Sequence, residues 1–180
     1  MKATGIVRRI DDLGRIVIPK EIRRTLRIRE TDPMEIYTDM DGQIVLKKYS
    51  PMGDITAFAG EYAESMAYNT GMTIAITDRD QVIVATGSEK KHIQGRQISK
   101  EMNIIMGERK SVAASLKEDS YIAVVPDYEC GGEVISPIIS SGDVLGAVVM
   151  LTADAGHKFT EGEKCIVKVA ADFLGKHMED

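Results

Sequence analysis

The chain has 180 residues, with 23 Lys/Arg against 28 Asp/Glu for a net charge of −5, two cysteines and no tryptophan. Two cysteines cannot build a disulfide framework, no apolar run reaches the ~18 residues of a membrane span, and no charged-then-apolar signal opens the sequence, so a cytoplasmic protein of one or two domains is expected. The charge is uneven: residues 1–50 hold eleven Lys/Arg and eight Asp/Glu (+3), and residues 51–180 hold twelve and twenty (−8). A basic head on an acidic body points to nucleic acid as the partner of the head alone, and DNA would repel the body.

In chain order, residues 3–11 are rich in Ile and Val and end at the turn signal Asp12-Leu13-Gly14, and Arg15-Ile-Val-Ile18 is a second apolar run stopped by Pro19. Under strict alternation Ile6, Arg8 and Ile10 share a face, so the pleat must twist, bulge or end near Arg8. Residues 21–26 suit one or two helical turns, with Ile22 and Leu26 spaced i, i+4. Residues 34–38 and 43–47 flank Asp41-Gly42, a hairpin signal. About fifty residues arranged strand–strand–helix–strand–strand bury too little surface to fold alone, and this stretch has neither Cys nor His to staple it. Two copies completing one sheet is the remaining route, which doubles the +5 carried by residues 1–30. The competing reading of these arginines is a merely solvated face.

The run from Met1 to Pro19, followed by Glu21-Ile-Arg-Arg-Thr-Leu26 and Asp32-Pro-Met-Glu-Ile-Tyr37, resembles the swapped-hairpin DNA-binding domain of AbrB-type transition-state regulators. The resemblance implies an intertwined ββαββ dimer on double-stranded DNA, with Arg8, Arg15, Arg23 and Arg24 as the contacting arginines. Arg9, Lys2 and Lys20 are the further basic candidates. Arg27 stands where the family usually has Gly, which puts the local backbone in question. With the longer second half attached, the whole chain resembles regulators that activate and repress sporulation genes, which implies a forespore location.

Residues 51–54 carry breakers and read as a linker between a head (1–50) and a body (55–180). Asp54 is placed to cap a helix whose stripe is Ile55, Phe58, Ala59, Tyr62, Ala63 and Met66, closed by Gly71. Strands are expected at 72–77, 81–85 and 121–125, a short helix around 99–106, and a hairpin of 133–140 with 144–152. Thr160-Glu-Gly-Glu163 is a capping box opening a last helix, with Ile166, Val169, Ala170, Phe173 and Leu174 on one face. The order makes an α+β domain with a central antiparallel sheet and resembles a GAF domain. That resemblance implies a small-molecule pocket near residues 86–125. The competing use of the body is assembly of dimers into a homotetramer through its terminal helices.

The search for chemistry yields little. His92, His157 and His177 and the two cysteines show no metal-ligand spacing, and no P-loop or nucleophile elbow is present, so neither catalytic residues nor a cofactor are expected. Cys130 is expected in an exposed loop, made unreactive by Glu129 and Glu133, and Cys165 in or near the core. Lys90, Lys91, His92 and Arg96 form a second basic cluster, read first as a solvated loop and second as a pocket for an anionic ligand. The expected function is transcription regulation by a dimeric basic head, with a body that assembles and senses. The alternatives are an antitoxin-like interaction module and a GAF-type small-molecule enzyme.

Overall fold

The computed structural model describes residues 4–50, 52 and 55–179, and divides into two compact units, residues 1–49 and 50–180. Lys2, Pro51, Gly53 and Asp54, and with them most of the expected linker and its helix cap, lie outside the described residues.

In the head, Asp11 makes the first turn. Its backbone N–H donates to Arg15 O (3.0 Å) and its carbonyl accepts from Gly14 N–H (3.0 Å), with Gly14 at φ +75. The side chain of Asp11 then accepts from the backbone N–H of Leu13 and Arg15. Helix α1 (Lys20–Thr25) starts after Pro19, whose missing N–H is no loss at that position. It ends in a two-bond cap: Ile28 N–H reaches Arg23 O (2.8 Å) and Arg27 N–H reaches Arg24 O. That cap requires a left-handed residue, and Arg27 supplies it at φ +54. Strands β1 (Met34–Thr38) and β2 (Ile44–Lys48) pair antiparallel around Gly42 (φ +77), as the Asp-Gly signal predicts.

The two strands expected before α1 are not laddered in a single copy. Residues 4–18 have no sheet pairing, and their apolar side chains face solvent: Val7 is 85 %, Ile10 66 % and Leu13 69 % exposed. In one copy this segment pairs with neither free edge of the β1–β2 hairpin.

The body is built on a five-stranded antiparallel sheet in the order β4-β3-β7-β6-β5. Its strands are β3 (Thr73–Asp78), β4 (Val82–Thr86), β5 (Val112–Ser115), β6 (Gly132–Ser140) and β7 (Asp143–Thr152). Helices α2 (Thr56–Thr70) and α5 (Glu161–His177) pack on one face, through Ala59, Ala63, Met66, Val167, Ala170 and Leu174 against Ile74, Ile76, Val134, Val148 and Met150. The short α3 (Lys90–Ile93), α4 (Lys100–Gly107) and the irregular stretch 116–131 cover the other face. There Ile93, Ile98, Met102, Met106 and Val125 meet Ala75, Ile135, Val149 and Leu151. Alternate residues of β3, β6 and β7 thus enter two cores, which is why these strands read as nearly continuous apolar runs.

Three expectations need correction. Residues 121–125 are no strand: Val124 and Val125 are buried, but Val124 O accepts from Ser99 N–H and Ile122 N–H donates to a side chain, so no ladder forms. The edge beside β6 is taken by β5. On α5, Ala170 and Leu174 are buried as expected, but Ile166, Val169 and Phe173 are exposed, and the buried face is completed by Val167 and Ala171. The cysteines are exchanged in role, since Cys130 is buried and Cys165 exposed.

Candidate nucleic-acid interface and a buried site in the body

The described basic candidates all lie on the unpaired segment 4–18 or on α1. Arg8, Arg9, Arg15, Lys20 and Arg24 are exposed, and Arg23 is half-buried. Arg15 is the most constrained: its Nε donates to Asp11 Oδ2 at 2.8 Å, so the hairpin turn that sets the backbone also aims the guanidinium. The Arg15 backbone N–H, then its guanidinium, hold the Asp11 carboxyl below the usual carboxylate range. Arg23 has only a loose pair with Glu30 at 3.8 Å, and Arg8 a 3.3 Å bond to Val7 O.

Behind α1, Asp32 clamps the exit of the helix. Its side chain is 2 % exposed, accepts from Arg29 N–H (2.8 Å) and pairs with Lys48 Nζ at 3.0 Å. The pair ties the α1 exit to β2. The sequence reading passed over Asp32, although an Asp before Pro33 at the end of a basic helix is a recognisable turn former.

In the body, the expected basic cluster is not one site. Arg96 is spent as a staple, donating to His92 O (3.0 Å) and to Pro126 O, while Lys90 and Lys91 are exposed. His92 stacks flat on Tyr128 (4.9 Å, 8°), whose hydroxyl donates to Glu89. Cys130 donates Sγ–H to Thr152 O at 2.8 Å, and burial before all else pushes its thiol pKa up, so it is not a poised thiolate.

The polar group that sequence reasoning missed is Glu133 on β6. It is 0 % exposed, Oε1 accepts from Ile122 N–H at 2.5 Å, and Oε2 has no partner. Burial pushes its pKa up to about 8, against the opposing pull of the Ile122 N–H. The available signal was a carboxylate at the second position of an otherwise apolar run, Gly132-Glu-Val-Ile-Ser-Pro-Ile-Ile139, on a strand buried on both faces. Among the described residues no cluster of His, Cys, Asp or Glu could hold a metal ion, and no helix is long and apolar enough to cross a membrane.

Against known proteins, the family model "Stage V sporulation protein T C-terminal, transcription factor" matches residues 54–179. Stage V sporulation protein T of Bacillus subtilis (strain 168) is 46% identical over 179 residues, covering 99% of each chain. The chain belongs to the stage V sporulation protein T family. Its head is matched at residues 7–54 by the model "Antidote-toxin recognition MazE, bacterial antitoxin". The transition state regulatory protein AbrB of the same bacterium is 65% identical over 51 residues, 28% of this chain and 52% of that protein. The body is similar to the second GAF domain of DevS from Mycobacterium smegmatis, with 13% identity, a TM-score of 0.53, and coverage of 69% of this chain and 93% of that one. At that identity the likeness concerns the fold. A GAF-like body behind an AbrB-like head is the architecture expected from the sequence, and the family is one of transcription factors.

Proposed function

We propose that the chain regulates sporulation genes, as activator and repressor, by binding promoter DNA through an intertwined dimer of its head (residues 1–50). One observation carries the reading. The segment 4–18 holds exposed Val7, Ile10, Leu13 and Val17 with no sheet partner, in the same stretch that carries Arg8, Arg9 and Arg15. A second copy would pair those strands and bury those side chains. It would also set two sets of Arg8, Arg15, Arg23 and Arg24 on one surface, with Arg9, Lys20 and Lys2 beside them. Arginine suits both phosphate contact and bidentate recognition of guanine edges.

The body (55–180) assembles two such dimers into a tetramer and senses a small molecule; it performs no catalysis. Phe58, Tyr62, Phe173 and His177 stack on one another across α2 and α5, with Phe173 44 % exposed and Ile166 and Val169 beside it, so the pair of helices keeps an apolar outer face. The protein acts in the forespore cytoplasm. An antitoxin-like role is favoured by the match of the head to an antitoxin family, but the body has two full cores of its own, unlike a tail that orders on a toxin. The test is fluorescence anisotropy with promoter-length DNA. Arg8→Ala, Arg15→Ala, Arg23→Ala and Arg24→Ala combined should abolish specific binding, with roughly 1–3 kcal/mol lost for each base-contacting arginine. Unchanged affinity of the quadruple variant would overturn this assignment.

A further inference from the structure

Glu133 is a carboxyl group that the fold does not use in full. It lies on the sheet face shared with Ile135, under the stretch 116–131, which contains no helix or strand among its residues. One oxygen is held by Ile122 N–H and the other is buried without a partner. No cation of the described residues contributes to its state, which is set by burial and that single N–H. Leaving a buried acceptor unmet costs ~1–3 kcal/mol, more for a charged group, and a chain folding only for stability would gain by an apolar residue here. Protonation offsets part of that cost, and a donor reaching Oε2 would offset the rest.

The surrounding field indicates the sign of that partner. Burial first raises both Tyr121 and Cys130; Glu129 acts on Tyr121 and Glu89 on Cys130, Glu133 joins them on both once ionised, and no cation acts on either. His92 acts on Glu89, but Lys90, Lys91 and His92 themselves are exposed. The Tyr121 hydroxyl accepts from Cys130 N–H at 2.7 Å and keeps its own proton to donate. An anionic ligand such as a cyclic nucleotide phosphate would meet carboxylates here, whereas a cation would be drawn in.

We propose that Glu133 anchors a small ligand of the body, one that presents a cationic nitrogen (an alkylammonium, amidinium or guanidinium group) to Oε2. The proposal rests on the reading of the body as a sensing domain and names the class of molecule sensed. Entry requires the cover to part at 121–123, half-buried residues ahead of the anchored Val124 and Val125. An incoming cation favours the ionised carboxylate, so binding releases the proton that Glu133 otherwise holds.

The test is the thermal shift of the full chain with agmatine or ethylammonium chloride, against sodium chloride at equal ionic strength and against cyclic GMP. The measurement is repeated at pH 6.0 and 8.5. The expected result is a rise in Tm with the cationic probes, larger at pH 8.5 than at pH 6.0, none with cyclic GMP, and loss of the rise in Glu133→Gln. Should that variant fail to fold, the pH dependence in the natural chain and proton release measured by calorimetry in two buffers decide the matter. No rise with either cation, a rise independent of pH, or an equal rise in Glu133→Gln would overturn the proposal, as would a response to cyclic GMP alone. A response to cyclic GMP alone would keep the body a sensor while sinking the cationic class, so failure of the proposal is distinguishable from failure of the sensing reading, in which no probe shifts Tm.

Discussion

Single residues carry much of what distinguishes this chain. Glu133 has a folded pKa of about 8 against 4.5 in the unfolded chain. The folded state therefore binds the proton more tightly. The stability this confers is fully present below pH 4.5 and is lost as pH rises through 8. Melting the body across pH 5 to 9 should show stability falling with pH, on the order of a few kcal/mol in total. Glu133→Gln should flatten that slope; an unchanged slope would place the titrating group elsewhere. Arg27 is a second such position. It closes the α1 cap at φ +54, a region where a side chain costs ~1 kcal/mol or more relative to glycine. Arg27→Gly is expected to stabilise the head by up to ~1 kcal/mol in a urea melt while reducing its nonspecific DNA affinity, because a charge is removed. The sequence raised the question at Arg27 from the family's usual glycine, and the backbone answers it: the left-handed geometry is retained and the arginine bears the strain. Glu133 was legible only as a carboxylate within an apolar run. The sequence shows which residues flank a carboxylate, but not that both faces of its strand are covered.

At the scale of elements, local signals were read well where the chemistry is local. Thr160 caps α5 by accepting from Glu163 N–H (3.2 Å), while the Glu163 carboxylate accepts from Thr160 N–H (2.6 Å), the reciprocal pair that the spacing predicts. Thr160→Ala should cost ~1 kcal/mol of the body's stability by thermal melting. The Gly142 hairpin of β6 and β7 and the short helix α4 were legible for the same reason, and Ser99 caps that helix by accepting from Met102 N–H. Non-local relations were not. Residues 121–125 look like a strand because they are apolar, yet their backbone groups bond elsewhere while β5 takes the sheet edge. On α5 the apolar residues outnumber the positions that the sheet can cover. Gly175 brings the helix backbone against Ile139 O, where a Cβ would lie 2.1 Å away, and this close approach turns Val167, Ala171 and Leu174 inward and leaves Ile166, Val169 and Phe173 outward. If that outer face joins dimers, Phe173→Glu should reduce the mass in light scattering from a tetramer to a dimer, with a modest fall in melting temperature from its lost stacking on Phe58 and Tyr62. A tetramer that persists would assign the face to something else.

At the scale of the molecule, the charge division is the organising feature: a head of +3 and a body of −8 in one chain. The head is incomplete alone, with its apolar strand residues exposed and its arginines beside them, so dimerisation and DNA binding are expected to be one event. Composition made the division legible, and the dense match of the first fifty residues to a known head made its use legible. A ligand of the body was not legible, because the marker proposed for it, the buried Glu133 Oε2, is evident only in the folded chain.

The dimeric basic head is proposed to read DNA through its arginines. The most direct measurement is the salt dependence of promoter binding by the full chain, beside the variant with Arg8, Arg15, Arg23 and Arg24 all changed to Ala. Each phosphate contact contributes about −0.9 to the slope of log affinity against log salt. A steep slope is expected for the natural chain, reduced by several units and accompanied by lost sequence preference in the variant. Equal slopes and equal affinities would contradict it and leave these arginines a solvated surface.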